Sequence, residues 1–298
     1  MGNNFKSGFV AVIGRPNVGK STLLNQILGQ KIVITTDKAQ TTRKRIKGIL
    51  TTDKGQIVFV DTPGIHKPLN KFGEFLLDEA KISIPDSDLI IFLVDGSEPS
   101  GKGDKWIVEN MLKDTKIPIV MVLNKTDKAK ETVIKENLKT YKDLLPDVDV
   151  LEISAKIGTN KEILIEKIFE YLPKGVPFYD EETITEETVR DVVQEIVREK
   201  ILLNTKEEIP HCVAVLVQKY EETETIDRIY ADIFCETKSQ KGILIGKGGS
   251  LLKKIGMESR IEIEKMVEKK VFLQLNVKVE KDWRKNNSVL KKFGYETE

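Results

Sequence analysis

The chain has 298 residues, 40% of them hydrophobic and 32% charged, a length that suits two domains and a balance that excludes wholesale disorder. The net charge of +1 hides an asymmetry: residues 181–237 carry 6 basic and 15 acidic side chains, whereas residues 238–298 carry 15 basic and 8 acidic ones. The longest apolar runs, such as Leu89–Val94, are far below the roughly 20 residues of a membrane span. MGNNFKSG lacks a signal-peptide core, and two cysteines cannot build a disulfide framework, so the expected location is cytoplasmic.

In chain order, short apolar runs at Phe9–Ile13, Ile57–Val60, Leu89–Val94, Ile119–Leu123 and Leu151–Ile153 read as strands buried on both faces. Helix-length segments lie between them at Ser21–Leu28, Lys71–Ile84, Lys102–Lys113, Thr132–Leu145 and Asn160–Tyr171. This rhythm predicts an α/β domain with a mainly parallel sheet. The tight Thr52–Gly55 connection admits only an antiparallel pair, Ile46–Thr51 with Gln56–Val60.

LPKGVPFYD closes that domain, giving expected boundaries of 1–175, a linker at 176–184 and a second domain at 185–298. In the second domain, Val189, Val192, Val193, Ile196, Val197 and Ile201 recur at helical spacing. Strands follow at His211–Lys219 and Ile226–Cys235, then a short helix, the loop Gly246–Gly249, a helix from Ser250 and a strand at Val271–Val279. The order α-β-β-α-α-β is a small α+β module.

Four motifs carry chemistry. Gly14-Arg15-Pro16-Asn17-Val18-Gly19-Lys20-Ser21 matches the phosphate-loop pattern between a strand and a helix. There Lys20 reaches the β- and γ-phosphates and Ser21 binds Mg²⁺. Asp61-Thr62-Pro63-Gly64 supplies a carboxylate for Mg²⁺, acting through water, and a Gly64 N–H for a γ-phosphate. In Asn124-Lys125-Thr126-Asp127 the last carboxylate can accept the N1 and N2 hydrogens of guanine, a donor pair adenine lacks. Ser154-Ala155-Lys156 can offer the Ala155 amide to guanine O6. Four such motifs in order, each at the C-terminal end of a strand, specify a guanine nucleotide site.

With KAQTTRKR (38–45), the GKGG loop and NVKVEKDW (276–283), these motifs resemble the translation-factor-like GTPases of the TrmE–Era family over nearly the whole chain. The resemblance implies a P-loop GTPase domain followed by a type II K-homology (KH) RNA-binding domain. It also implies GTP and GDP as ligands, and Thr42 as the switch threonine that joins Mg²⁺, with Thr41 the alternative if the register is shifted by one. Lys20, Thr42, Gly64 and Asn17 are then the catalytic candidates, and Ser21, Thr42 and Asp61 the metal ligands. In related potassium-activated GTPases an Asn at the position of Asn17 holds K⁺ against the phosphates. Ras-type enzymes orient water with a Gln after the DTPG-like motif; Ile65 stands there, with His66 the next polar residue, so intrinsic hydrolysis is expected to be slow.

In the second domain, Gly246-Lys247-Gly248-Gly249 matches the GxxG loop that clamps about four nucleotides of single strand. Ile245, Lys247, Lys253 and Lys281 are candidate RNA contacts, with Lys254, Arg284 and Lys285 further phosphate candidates. Ile243, Leu244, Leu251 and Leu252 line either a base groove or the core, and Trp283 either stacks on a base or fills a strand-end core. The resemblance names the partner as the 3′ end of 16S ribosomal RNA in the 30S subunit precursor, bound by a monomer. The rival reading is a GTP-gated switch that docks a protein or the inner membrane peripherally, with RNA binding incidental.

Overall fold

The computed structural model describes residues 4–36, 38, 41–65, 67–68 and 70–295. Most of the chain up to Glu186 forms one compact unit and Glu187 onward the body of another.

Up to Tyr171 the order is β1 (Lys6–Ile13), α1 (Lys20–Leu28), β2 (Ile46–Thr52), β3 (Gly55–Asp61), α2 (Lys71–Ile82), β4 (Leu89–Asp95), α3 (Lys102–Ile107), β5 (Ile119–Asn124), α4 (Glu131–Lys142), β6 (Asp149–Glu152) and α5 (Lys161–Tyr171). The six strands lie β2-β3-β1-β4-β5-β6, with only the β2–β3 pair antiparallel. β4 is buried along its whole length because helices cover both faces of the sheet, which is why its sequence does not alternate. Two apolar clusters result, one on each face, one holding Val10, Phe59 and Leu93 and the other Ala11, Phe92 and Met121. Strand order reverses around β1, so the loop after β1 opens at the switch point where such sheets bind ligands.

The segment expected to be a linker is hydrogen-bonded to this sheet. Gln56 receives the Phe178 and Tyr179 amides at 2.7 and 3.0 Å and donates to the Tyr179 carbonyl, while the Ile49 amide donates to Ile184 O. Gln56 is fully buried, and this chain segment satisfies its carboxamide.

In the second unit the order is α6 (Val189–Asn204), α7 (Ile209–Cys212), β7 (Ala214–Glu221), β8 (Ile226–Cys235), α8 (Lys238–Ile245), α9 (Ser250–Val267), β9 (Lys270–Val279) and α10 (Asn287–Lys292). β8 is central, antiparallel to β7 and parallel to β9. Thr188 caps α6 and Thr237 caps α8, each accepting the amide three residues on. The strand expected from His211 begins instead at Ala214: Pro210 sits in the first turn of α7 and starts a helical turn that holds His211 and Cys212. Cys212 and Cys235 are both buried and form no disulfide.

Candidate nucleotide and RNA sites

The loop after β1 is shaped by residues that fit nowhere else. A Cβ on Gly14 would lie 2.3 Å from Leu93 O on β4, and one on Gly19 would lie 2.4 Å from the Asn124 amide nitrogen. Asn17 and Gly19 take left-handed backbone, φ 65° and 105°, which turns the intervening amides inward. α1 then starts at Lys20 with no side-chain cap and no acidic residue in its first turn, leaving its N-terminal amides and dipole to an anion.

Lys20 is buried and donates to the carbonyls of Gly14 and Arg15, both at 3.1 Å. Burial lowers its pKa to about 8 against the opposing pull of Asp61. Arg15 contributes only backbone to the loop. Its guanidinium turns away to Asp104 (2.8 Å) and Glu98 (2.7 Å), and Gly103 leaves space for its stem.

Ser21, Thr42 and Asp61 converge. Ser21 Oγ lies 2.9 Å from Thr42 Oγ1 and donates to Asp61 Oδ2 at 2.9 Å, while Thr42 Oγ1 donates to the same oxygen at 3.1 Å. Asp61 Oδ1 is buried with no hydrogen-bond partner among the described residues. Burial pushes the Asp61 carboxyl up, opposed by Lys20 and the two hydroxyls. Two hydroxyls and a carboxylate with a spare oxygen beside a buried ammonium are a hard-oxygen donor set that fits Mg²⁺ with a polyphosphate. Of the candidate ligands, Ser21, Thr42 and Asp61 are thus brought together.

Gly64 packs directly on the phosphate loop: a Cβ there would lie 2.7 Å from Pro16 Cα. Thr62 donates its hydroxyl to Val12 O at 2.8 Å and so serves the fold. Ile65 is buried, and its amide donates to Gly14 O. His66 lies outside the described residues.

At the base-recognition end, Asn124 donates to Val18 O at 2.7 Å and accepts the Ala155 amide at 2.9 Å, tying three motifs together. The Ala155 amide, expected at guanine O6, donates to Asn124 Oδ1, whose buried carboxamide needs both an acceptor and a donor. Asp127 Oδ1 accepts from Ser154 Oγ at 2.6 Å, which orients the carboxylate expected to read guanine. Thr126 binds Ile153 O through both amide and hydroxyl. Lys125, at φ 64°, donates to Asp95 Oδ2 at 2.6 Å. Burial would raise Asp95, but Lys125 and Ser97 outweigh it and hold the carboxyl below its usual range. Asp95, Glu98 and Asp104 were not anticipated. The only sequence signal was an Asp ending the β4 run, since pairing across elements leaves no spacing to read. Lys156 is exposed on the turn after Ala155.

In the second unit, Gly246, Gly248 and Gly249 all have positive φ (73°, 60° and 79°). Beside Gly248 and Gly249 a Cβ would meet nothing within 4 Å, so a ligand's backbone can approach both. Lys247 and Lys253 are exposed next to the loop, and Lys281 beyond β9. Leu244 is core and Ile245, Leu251 and Leu252 lean on it, whereas Ile243 is 46% exposed. Lys254 pairs with Glu258, Arg284 with Glu236 and Lys285 with Asp282.

Trp283 corrects one expectation. It is fully buried, donates its indole N–H to Cys212 O at 2.9 Å and packs with Phe293 and Tyr295, so no base can stack on it. Trp283 lies in a short helical turn four residues beyond the end of β9, and a ring of that size is taken by the core, where its polar edge finds a carbonyl.

A family model described as 50S ribosome-binding GTPase matches residues 9–125, and one described as KH domain matches 208–284. The chain is 46% identical over 293 residues to GTPase Era of Halothermothrix orenii, covering 98% of this chain and 99% of that one. It is 48% identical to GTPase Era of Caldanaerobacter subterraneus subsp. tengcongensis, covering 98% of each. Among solved structures, Era in complex with MgGDPNP and nucleotides 1506–1542 of 16S ribosomal RNA superposes with a TM-score of 0.95 at 36% identity, covering 98% of this chain and all of that one. A point variant of Aquifex aeolicus Era bound to GDP·AlF₄⁻ superposes equally well, at the same identity and coverage.

Proposed function

The chain belongs to the GTPase Era family, and from that premise we propose a GTP-hydrolysing switch that binds the 3′ end of 16S ribosomal RNA and acts in maturation of the 30S subunit. The observation that carries the first half is the convergence of Ser21, Thr42 and Asp61 beside Lys20. The second half is supported by the positive-φ glycines of the GxxG loop and by the RNA in the matching Era complex.

GTP hydrolysis joins a water oxygen to the γ-phosphorus as the bond to the β–γ bridging oxygen breaks. The α1 N-terminal amides and Lys20 stabilise charge on the phosphates. Lys20 leaves the Gly14 and Arg15 carbonyls to do so, exchanging neutral acceptors for anionic ones. Ser21, Thr42 and Asp61 would hold Mg²⁺, which supplies positive charge to the β- and γ-phosphate oxygens. The Gly64 amide faces the γ-phosphate, and Asp127, braced by Ser154, selects guanine over adenine.

Ile65 can neither donate to water nor accept from it, so intrinsic turnover is slow. Asn17, in its left-handed turn, would hold K⁺ at the phosphates. Turnover faster in K⁺ than in Na⁺, with the difference lost in Asn17→Ala, is the expected result; equal rates in the two salts remove this role. The chain is read as a cytoplasmic monomer; among the described residues no helix is long and apolar enough to cross a membrane.

The switch is tested by titrating a short single strand from the rRNA 3′ end onto the full chain loaded with GDP or with a non-hydrolysable GTP analogue. Different affinities establish nucleotide-gated RNA binding, and linkage then requires RNA to change nucleotide affinity by the same factor. Equal affinities would mean that the two sites are energetically independent. Gly248→Asp, which adds charge and a strained side chain at the loop, should abolish binding in both states.

A further inference from the structure

One face of the sheet in the second unit is filled by its own core, and the other is covered at its Phe234 end, where Phe293 packs, and open toward Phe272. Alternation places Ile229, Ala231 and Ile233 of β8, with Val271 and Val277 of β9, in the apolar cluster. Arg228, Tyr230, Phe272, Gln274 and Asn276 therefore point to the opposite face. The register sets Arg228 beside Phe272 and Tyr230 beside Gln274. The Tyr230 and Phe272 rings lie diagonally, 5.9 Å apart, and Phe272 is 44% exposed on the edge strand.

The charges around these rings are unequal. On this face Glu221 is engaged by Lys219, and Asp232 by Lys278 at 2.7 Å. Among the described residues neither Arg228 nor Lys270 has a carboxylate partner, so both cations face outward. An exposed Phe272 beside a half-buried Tyr230, flanked by side-chain amides and cations without a carboxylate partner among the described residues, matches the requirements of unpaired bases: π-faces for stacking, amides for base edges, cations for phosphates. It does not match a protein-docking core, which is depleted of charge and lined by contiguous apolar groups.

We propose that this face is a second RNA-binding surface, with Phe272 and Tyr230 stacking unpaired bases and Arg228 and Lys270 taking the adjoining phosphates. The proposal rests on the RNA-binding reading above and extends it. A GxxG groove holds about four nucleotides, whereas the RNA in the matching Era complex runs from nucleotide 1506 to 1542. Most of such a strand needs other ground to lie on.

The test uses the full-length chain and two RNAs, a single strand of about ten nucleotides from the rRNA 3′ end and one spanning nucleotides 1506–1542. Phe272→Ala should bind the short RNA within about twofold of wild type. On the long RNA it should lose roughly 5- to 150-fold, the loss of one stacked base at about 1–3 kcal/mol. Phe272→Trp should keep the long-RNA affinity, and its fluorescence should be quenched by the long RNA alone. Unchanged affinity of Phe272→Ala for the long RNA overturns the proposal and leaves the face to a protein partner. An equal loss on both RNAs also overturns it, because the effect then lies in the groove. Failure of the wild-type chain to bind even the short RNA removes the RNA-binding reading itself, and this proposal with it.

Discussion

Lys20 carries the most testable consequence of the nucleotide site's burial. Its ammonium titrates near pH 8, lowered by burial and partly restored by Asp61. About half the nucleotide-free molecules therefore hold a neutral Lys20 at pH 8 and about nine in ten at pH 9. A bound di- or triphosphate places several negative charges against the amine and returns its proton. Nucleotide binding should then take up about 0.5 proton at pH 8 and about 0.9 at pH 9, with affinity falling by up to about tenfold per pH unit above 8. Calorimetric titration of GDP at pH 7, 8 and 9, in buffers of different ionisation enthalpy, measures the uptake directly. Magnesium is chelated, because burial raises Asp61 and a proton lost from it to the metal would count in the opposite sense. A binding enthalpy that does not depend on the buffer at pH 8 and 9 refutes the argument. So does proton uptake that persists in Lys20→Arg, whose guanidinium stays charged throughout. The same shift has a signature in stability. The unfolded chain holds this proton up to an ordinary lysine pKa of 10.5, while the folded chain releases it near 8. The unfolded state binds more protons in between, so Lys20 makes the nucleotide-free chain gain stability as pH rises through that interval.

Other consequences follow from single contacts. Asp127→Asn replaces an acceptor of two guanine hydrogens with a group that meets them with its own hydrogens, and GDP affinity should fall about 100-fold or more, at about 1.5–3 kcal/mol for each charged hydrogen bond. Binding of xanthosine diphosphate, which presents a carbonyl there, should rise in the same competition assay. Trp283→Ala should cost about 3–5 kcal/mol in thermal or denaturant unfolding, while the fraction that stays folded binds RNA with wild-type affinity. A lowered RNA affinity at full occupancy of the fold would return the residue to the binding surface. Arg15→Ala leaves the fully buried Asp104 without its cation and should destabilise the chain by about 3 kcal/mol. Arg15→Ala combined with Asp104→Ala should recover part of that loss in the same unfolding assay, because no buried charge is then stranded.

The residues themselves determined which chemistry is present and in what order it occurs. Continuous apolar runs announced strands covered on both faces, the Thr52–Gly55 turn forced the antiparallel β2–β3 pair, and each nucleotide motif sits where a strand ends. Those are local properties: the spacing of glycines, the length of a turn and the period of a hydrophobic pattern all act within a few residues. What depended on groups far apart in the chain had to wait for the fold. Nothing in the string LNKTD says that Asn124 will take the Ala155 amide. GRPN does not reveal that Arg15 turns outward to Asp104, 89 residues later. NVKVEKDW left open whether Trp283 meets RNA or core, and the decision fell to Cys212 O, the acceptor its buried N–H reaches. The choice between Thr41 and Thr42 was of the same kind. Two adjacent hydroxyls are equivalent in sequence, and only the fold brings the Thr42 hydroxyl to Ser21 and Asp61. Pairing of polar groups is set by where the packed sheet brings them, because a buried donor or acceptor takes whichever partner the tertiary structure supplies.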